Sequence, residues 1–96
     1  MKEREYILTL YEIYNKLLSD REREYFEYYY FEDYSLQEIA DNNKVSKSYV
    51  GKLINGIENK LIKFEESLKI NNKNNKIRDI IKNIDKDNAS KIEELL

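Results

Sequence analysis

The sequence predicts an all-α protein built on a helix-turn-helix, with an extended second motif helix and short C-terminal helices. Three observations carry that expectation. The chain has no proline and only two glycines in 96 residues, so few breakers interrupt helices. Ser-x-x-Glu boxes stand at Ser19/Glu22 and Ser35/Glu38, each the mark of a helix start. Apolar residues recur three and four positions apart over most of the length, which is the period of one helix face.

The first helix is expected over residues 3–18, with Ile7, Leu10, Tyr14 and Leu17 turned inward. Ser19 caps a second helix that opens at Asp20 and runs to about Phe31. Six aromatics crowd it: Tyr25, Phe26, Tyr28, Tyr29, Tyr30 and Phe31. Successive helical residues lie about 100° apart, so they cannot all face one core. The expected arrangement is a large core with phenol oxygens kept wet at its rim, one or two of the rings being exposed. Glu32, Asp33 and Tyr34 connect to the next helix.

Residues 35–57, SLQEIADNNKVSKSYVGKLINGI, are the most informative stretch. Ser35 and Glu38 open a helix at Leu36 whose inward residues are Leu36, Ile39 and Ala40. Ala40 supplies the small side chain that two steeply crossing helices need at their closest approach. Asp41, Asn42, Asn43 and Lys44 break the pattern as a turn, and Val45 plugs the space between the helices. Ser46 caps a second helix with Val50, Leu53, Ile54 and Ile57 inward. A helix-turn-helix places such a second helix in the DNA major groove. The donor-rich residues left for its surroundings are the candidate nucleic-acid contacts: Lys44, Ser46, Lys47, Ser48, Tyr49, Lys52, Asn55 and, further along, Lys60. Two features weaken the motif. Lys44 stands where the turn favours a left-handed residue, and Gly51 removes a side chain from the face expected to read bases.

The second helix outruns the motif. Val50, Ile54, Ile57, Leu61, Phe64 and Leu68 continue one apolar stripe over a helix of about 22 residues, roughly 33 Å long. Its far half must cover itself with the first helix, the C-terminal segment or a second copy. Residues 71–76, NNKNNK, are low in complexity and polar and are expected to be a linker or frayed turn. Ile77, Ile80, Ile81 and Ile84 mark a short amphipathic helix, and Asp87 or Asn88 could cap a last one bearing Ile92, Leu95 and Leu96. The expected division is thus a helix-turn-helix domain over 1–70 and a polar linker with a C-terminal helical segment over 71–96. That segment either joins the same domain or makes a dimer contact.

Charge is unevenly spread. Residues 1–41 hold five bases against eleven acids, net −6, whereas residues 42–63 hold five lysines against Glu58 alone, net +4. Residues 64–96 balance seven against seven, and the whole chain carries −2. The second motif helix is therefore a basic island in an acidic protein, and nucleic-acid affinity rests largely on phosphate neutralisation. The chain lacks cysteine and histidine, which removes disulfides, thiol chemistry and the usual zinc ligands. No Gly-rich phosphate loop, nucleophile elbow or metal-ligand cluster occurs, so neither an enzyme nor a cofactor or metal site is expected. No apolar run approaches the roughly 20 residues that span a bilayer, and the N-terminal segment MKEREYILTL lacks the apolar centre of a signal peptide. A cytoplasmic protein without membrane insertion is expected.

The run from YNKLLSDREREYFEYYYFEDYSLQEIA through KLIKFEESLKI resembles the YlxM family of small bacterial proteins. That family in turn resembles the fourth region of sigma factors, which reads a promoter element. The resemblance covers residues 6–70; LLSDREREYFEYYYFEDYSLQEIA and KLIKFEESL are its most specific parts, and EIADNNKVSKSYV its most generic. It implies a sigma-region-four-like helix-turn-helix, DNA binding, and a link to the signal recognition particle pathway, because genes of this family lie beside those of the particle's GTPases. It implies as further partners the RNA of that particle or a protein of the pathway.

Two function classes are open. The first is a nucleic-acid-binding regulatory or accessory protein working through residues 44–60. The second is a non-enzymatic protein-interaction module in which the helix-turn-helix serves as scaffold. A homodimer is expected in either case, since the apolar stripe and the isoleucine-rich C-terminal segment exceed what so small a core absorbs.

Overall fold

A computed structural model describes residues 3–96, and every regular element among them is helical. In order these are α1 (Arg4–Tyr14), a 3₁₀ turn (Asn15–Leu17), α2 (Asp20–Tyr30), α3 (Leu36–Asn43), α4 (Lys47–Leu68), α5 (Ile70–Ile81) and α6 (Lys86–Glu93). The two capping boxes set the starts of α2 and α3 as the sequence requires. Ser19 Oγ accepts from the Glu22 N–H at 3.1 Å, and the Glu22 carboxylate accepts from the Ser19 N–H at 2.9 Å. Ser35 and Glu38 exchange the same two bonds at 3.0 Å each.

The first helix departs from its expected length. It ends at Tyr14, and the chain tightens into the 3₁₀ turn before α2. A 3₁₀ turn advances about 120° per residue and shifts the phase of the residues after it. Leu17 consequently points outward, 55 % exposed, and Leu18 takes the inward place at 4 %. The carbonyls freed at this turn are not wasted. Arg23 of α2 donates to the Asn15 carbonyl at 3.0 Å and to the Leu18 carbonyl at 2.7 Å, stitching the turn to α2.

Helix α4 is the spine against which α1, α2 and α3 all pack. Its Val50, Ile54, Ile57 and Leu61 meet Ile7, Leu10 and Tyr14 of α1, Phe26 of α2, and Ile39 and Ala40 of α3 in one buried cluster. The far half of the apolar stripe is covered by its own chain, since Ile57 and Leu61 are fully buried and Phe64 lies 5.9 Å from the Tyr14 ring. Leu68 falls outside that cover and is exposed; the inward place one turn before α4 ends belongs instead to Glu65. Ala40 is fully buried where α3 packs on α4. Ala40→Leu is therefore expected to overpack the crossing and cost about 1–3 kcal/mol, read as a lower urea midpoint. A midpoint equal to wild type would mean that the two helices have room to spare there.

The aromatic helix divides much as its geometry demands. Tyr25, Phe26 and Tyr30 are buried, Tyr28 and Tyr29 half-buried, and Phe31 is 56 % exposed. Phe26 stacks between Tyr11 at 4.0 Å and Tyr30 at 4.3 Å. The phenols of the buried rings are not simply left wet at the rim. Tyr11 donates to Glu27, Tyr30 to Glu58, and Tyr14 to Glu65 at 2.6 Å. Each ring thus buries its body and hands its hydroxyl to a carboxylate, which satisfies a donor that would otherwise cost free energy. Among the described residues no buried side-chain nitrogen or oxygen lacks a partner.

Residues 71–76 correct the expectation of a linker, for they form the first half of α5. Asparagine is a poor helix former, and Lys69, the residue before the helix, offers no side-chain cap. The cap comes from a distance. The Glu65 carboxylate accepts from the N–H groups of Asn71 and Asn72, each at 3.1 Å, and the Tyr14 hydroxyl accepts from the Ile70 N–H at 3.2 Å. Three of the four unsatisfied donors of a helix start are thereby met, with a negative charge at the positive end of the dipole. Lys69 makes the corner in a left-handed conformation, φ 53°. Further on, Ile81 is buried but Ile80 is 63 % exposed. The last helix is capped by Asp85, which accepts from the Asn88 N–H at 3.1 Å, and not by Asp87 or Asn88. Arg78 ties α5 to Glu93 of α6 at 3.1 Å.

Candidate nucleic-acid interface

The turn between α3 and α4 is tighter than the sequence suggests. Asp41, Asn42 and Asn43 remain helical, and only Lys44, Val45 and Ser46 lie between the two helices. Lys44 itself adopts the left-handed conformation, φ 56° and ψ 43°. For a residue with a Cβ this costs about 1 kcal/mol. Asn43 takes none of the strain; its Nδ2 donates back to the Ile39 carbonyl at 2.8 Å. The Val45 N–H reaches back to the Ala40 carbonyl at 3.0 Å, closing a Schellman-type end that seats Val45 against the core. Ser46 Oγ accepts from the Tyr49 N–H at 3.0 Å and opens α4.

This geometry presents most of the candidate residues together. Lys44, Ser46, Lys47, Ser48, Tyr49, Lys52 and Asn55 are all exposed on the turn and the first half of α4. Ser46 spends its side-chain oxygen as a cap, so its first duty is structural. Helix α4 also carries no acidic residue in its first turn, unlike α2, α3 and α6, so the positive end of its dipole is not offset by a carboxylate of its own. Lys60 stands apart. It lies eight residues beyond Lys52, about 12 Å along the axis, and its Nζ pairs with Glu22 Oε2 at 2.6 Å. Burial pushes the Glu22 carboxyl up, but the bonds from Lys60 and from the Ser19 backbone outweigh it and hold it below its ordinary value. Lys60 thus serves the α2–α4 contact, while no carboxylate lies in ion-pair reach of Lys44, Lys47 or Lys52 among the described residues.

Gly51 is not on the base-reading face. A side chain there would meet Leu36 Cδ1 of α3 at 3.7 Å, so the position faces the neighbouring helix. The missing side chain therefore subtracts nothing from the exposed donor set.

One residue of this region escapes sequence reasoning. Arg21, near the start of α2, lies against the first turn of α4, its guanidinium carbon 5.4 Å from the Tyr49 ring centre and 5.7 Å from that of Tyr25. The two rings meet edge-on at 6.4 Å. No local pattern signals this, since 28 residues separate Arg21 from Tyr49 and only the packing of α2 on α4 joins them. No helix among the described residues is long and apolar enough to cross a membrane.

Comparison with known proteins agrees with the motif. A protein of Ureaplasma urealyticum serovar 10 is 41 % identical over 78 residues, spanning 81 % of this chain and 79 % of its own. One from Ureaplasma parvum serovar 3 is 40 % identical over 78 residues with the same coverage. One from Symbiobacterium thermophilum is 41 % identical over 68 residues, or 71 % of this chain and 64 % of that one. All three bear the family name UPF0122. The model of that family, described as helix-turn-helix proteins of YlxM / p13 type, matches residues 1–95. With the motif built as described and the match running through nearly the whole chain, the protein belongs to the UPF0122 family of YlxM / p13-like helix-turn-helix proteins.

Proposed function

We propose that the protein binds nucleic acid through the α3–α4 turn and the first half of α4, as a non-enzymatic regulatory or accessory factor. The observation that carries this reading is the exposed set Lys44, Lys47 and Lys52 at the start of the second motif helix, none of them in an ion pair among the described residues, in a chain whose remaining net charge is negative. Lysines there neutralise phosphates, and Ser48, Tyr49 and Asn55 offer groups to base edges or sugars. Lys47→Ala together with Lys52→Ala is expected to weaken binding at least tenfold and to lower the salt slope by about two contacts. Equal affinity of wild type and double variant across a salt titration would overturn the assignment and favour the rival, a protein-interaction module on the same scaffold.

The family resemblance supports a cytoplasmic role beside the signal recognition particle, with DNA or the RNA of that particle as ligand. Co-purification of the tagged protein with its nucleic acid distinguishes the two.

A homodimer is part of the same proposal, but the long helix is not its seam, because α1 covers that stripe. The specific support lies on α5 and just past α6, where Ile80 is 63 % and Leu95 85 % exposed. The chain is also extended, 54 × 25 × 24 Å with a radius of gyration of 16.8 Å, against about 12.5 Å for a compact chain of this length. Sedimentation equilibrium at micromolar concentration is expected to show a dimer that Ile80→Lys with Leu95→Lys converts to monomer. A wild-type monomer would contradict it.

A further inference from the structure

Arginines in this protein are almost all engaged within the chain. Arg4 donates to the Tyr30 carbonyl and pairs with Asp33, Arg23 holds Asp20 and two carbonyls, and Arg78 pairs with Glu93. Arg21 differs. It is exposed, and among the described residues its contacts are the two tyrosine rings. Rings that lie against a guanidinium face restrain its side chain yet consume none of its N–H donors, which stay at the edge of the plane. The side chain is thus ordered without being satisfied.

Its position matters as much as its state. Tyr49 belongs to the first turn of α4, and Lys52 stands three residues further on the same side of that helix. Arg21, Tyr49 and Lys52 therefore form one strip that carries the basic surface of α4 across onto α2. Without Arg21, the part of α2 nearest that strip would present mainly acids. Asp20, Glu22 and Glu24 lie beside it, Asp20 being paired with Arg23 and Glu22 with Lys60, while Glu24 accepts the Tyr28 hydroxyl. A polyanion docking on α4 must pass this edge.

We propose that Arg21 is a phosphate-binding residue, oriented by Tyr25 and Tyr49, that clamps the sugar–phosphate backbone of a nucleic acid beside α4. The inference rests on the nucleic-acid reading above and adds α2 to the binding surface. The planar fork of N–H donors suits two oxygens of one phosphodiester, whereas a lysine would supply only a point charge.

The test uses the full-length protein and a labelled mixed-sequence DNA duplex in fluorescence anisotropy over a range of salt. Arg21→Ala is expected to weaken binding three- to tenfold and to lower the salt slope by about one. Arg21→Lys, which keeps the charge but not the fork, should restore the slope and only part of the affinity. In a Tyr49→Ala background the loss caused by Arg21→Ala should shrink, because the ring that orients the guanidinium is gone. Circular dichroism melting within about 1 °C of wild type shows that Arg21→Ala leaves the fold intact. If Lys47→Ala with Lys52→Ala weakens binding while Arg21→Ala changes neither affinity nor slope, the clamp is wrong and the nucleic-acid reading stands. If the lysine pair and Arg21 are equally without effect, both fall.

Discussion

Replacing Glu65 with leucine is expected to destabilise the protein by about 2–4 kcal/mol and to release α5 from the core. The carboxylate accepts from the Tyr14 hydroxyl and from the N–H groups of Asn71 and Asn72 in α5, all at 2.6–3.1 Å, in a residue only 8 % exposed. Hydrogen bonds to a charged group contribute about 1.5–3 kcal/mol each, and a buried donor left without a partner costs about 1–3 kcal/mol. Asn71 and Asn72 lie near enough to solvent for water to recover part of that loss, which sets the middle of the range. The sequence of α5 cannot compensate, since INNKNN has neither a local cap nor good helix formers. Leucine is close in size and removes a buried charge, so the loss reports the missing acceptor and not a cavity. Urea unfolding followed by circular dichroism reads it. A midpoint and helix content equal to wild type would show that α5 needs no cap from α4.

Above pH 10 stability is expected to fall steeply. Tyr11 and Tyr30 are 5 % and 6 % exposed, and Tyr14 is 1 % exposed. Burial first, and then the hydrogen bond each phenol gives to a glutamate, raise all three above the ordinary value of 10.0. In the unfolded chain the same phenols ionise near 10. A group whose native value is raised contributes stability that is fully present below the unfolded value. That stability drains away as pH rises towards the native value, because the unfolded chain then sheds a proton that the native state keeps. A strongly raised phenol removes up to about 1.4 kcal/mol per pH unit, so Tyr11 and Tyr30 together remove up to about 3 kcal/mol by pH 11, and Tyr14 acts in the same direction. Against a typical total of about 5–15 kcal/mol that is a large share. Urea midpoints measured from pH 8 to 11.5 should bend downward near pH 10, and Tyr11→Phe should make the descent shallower. A flat profile to pH 11 would mean that the phenols ionise in the native state without penalty.

What the sequence revealed and what it hid separate along the range of the interactions involved. The starts of α2, α3 and α4 were legible because their caps are local: Ser19 with Glu22, Ser35 with Glu38, and Ser46 with the Tyr49 N–H. The inward faces of α3 and α4 came from helical period alone, and Ile39, Ala40, Val50, Ile54, Ile57 and Leu61 are all buried. Period fails where the backbone changes its pitch, as at the 3₁₀ turn that exchanges Leu17 for Leu18. Composition fails where a distant group does the work. NNKNNK is helical because Glu65 and Tyr14 cap it, and nothing within those six residues announces that. The candidate site shows the same division. Its lysines on α4 are a sequence feature, visible as a charge reversal after residue 41. Arg21 on α2 and the commitment of Lys60 to Glu22 arise only when α2 packs on α4.

The most direct test of nucleic-acid binding by α4 is an NMR titration of the ¹⁵N-labelled protein with a short DNA duplex and, separately, with an RNA hairpin. The predicted result is a contiguous set of amide shifts over residues 44–55, with the Arg21 side-chain resonances among them, that fades as salt is raised. Shifts confined to α5 and α6 or to Phe31 and its surroundings, or no shifts with either ligand at low salt, would contradict it.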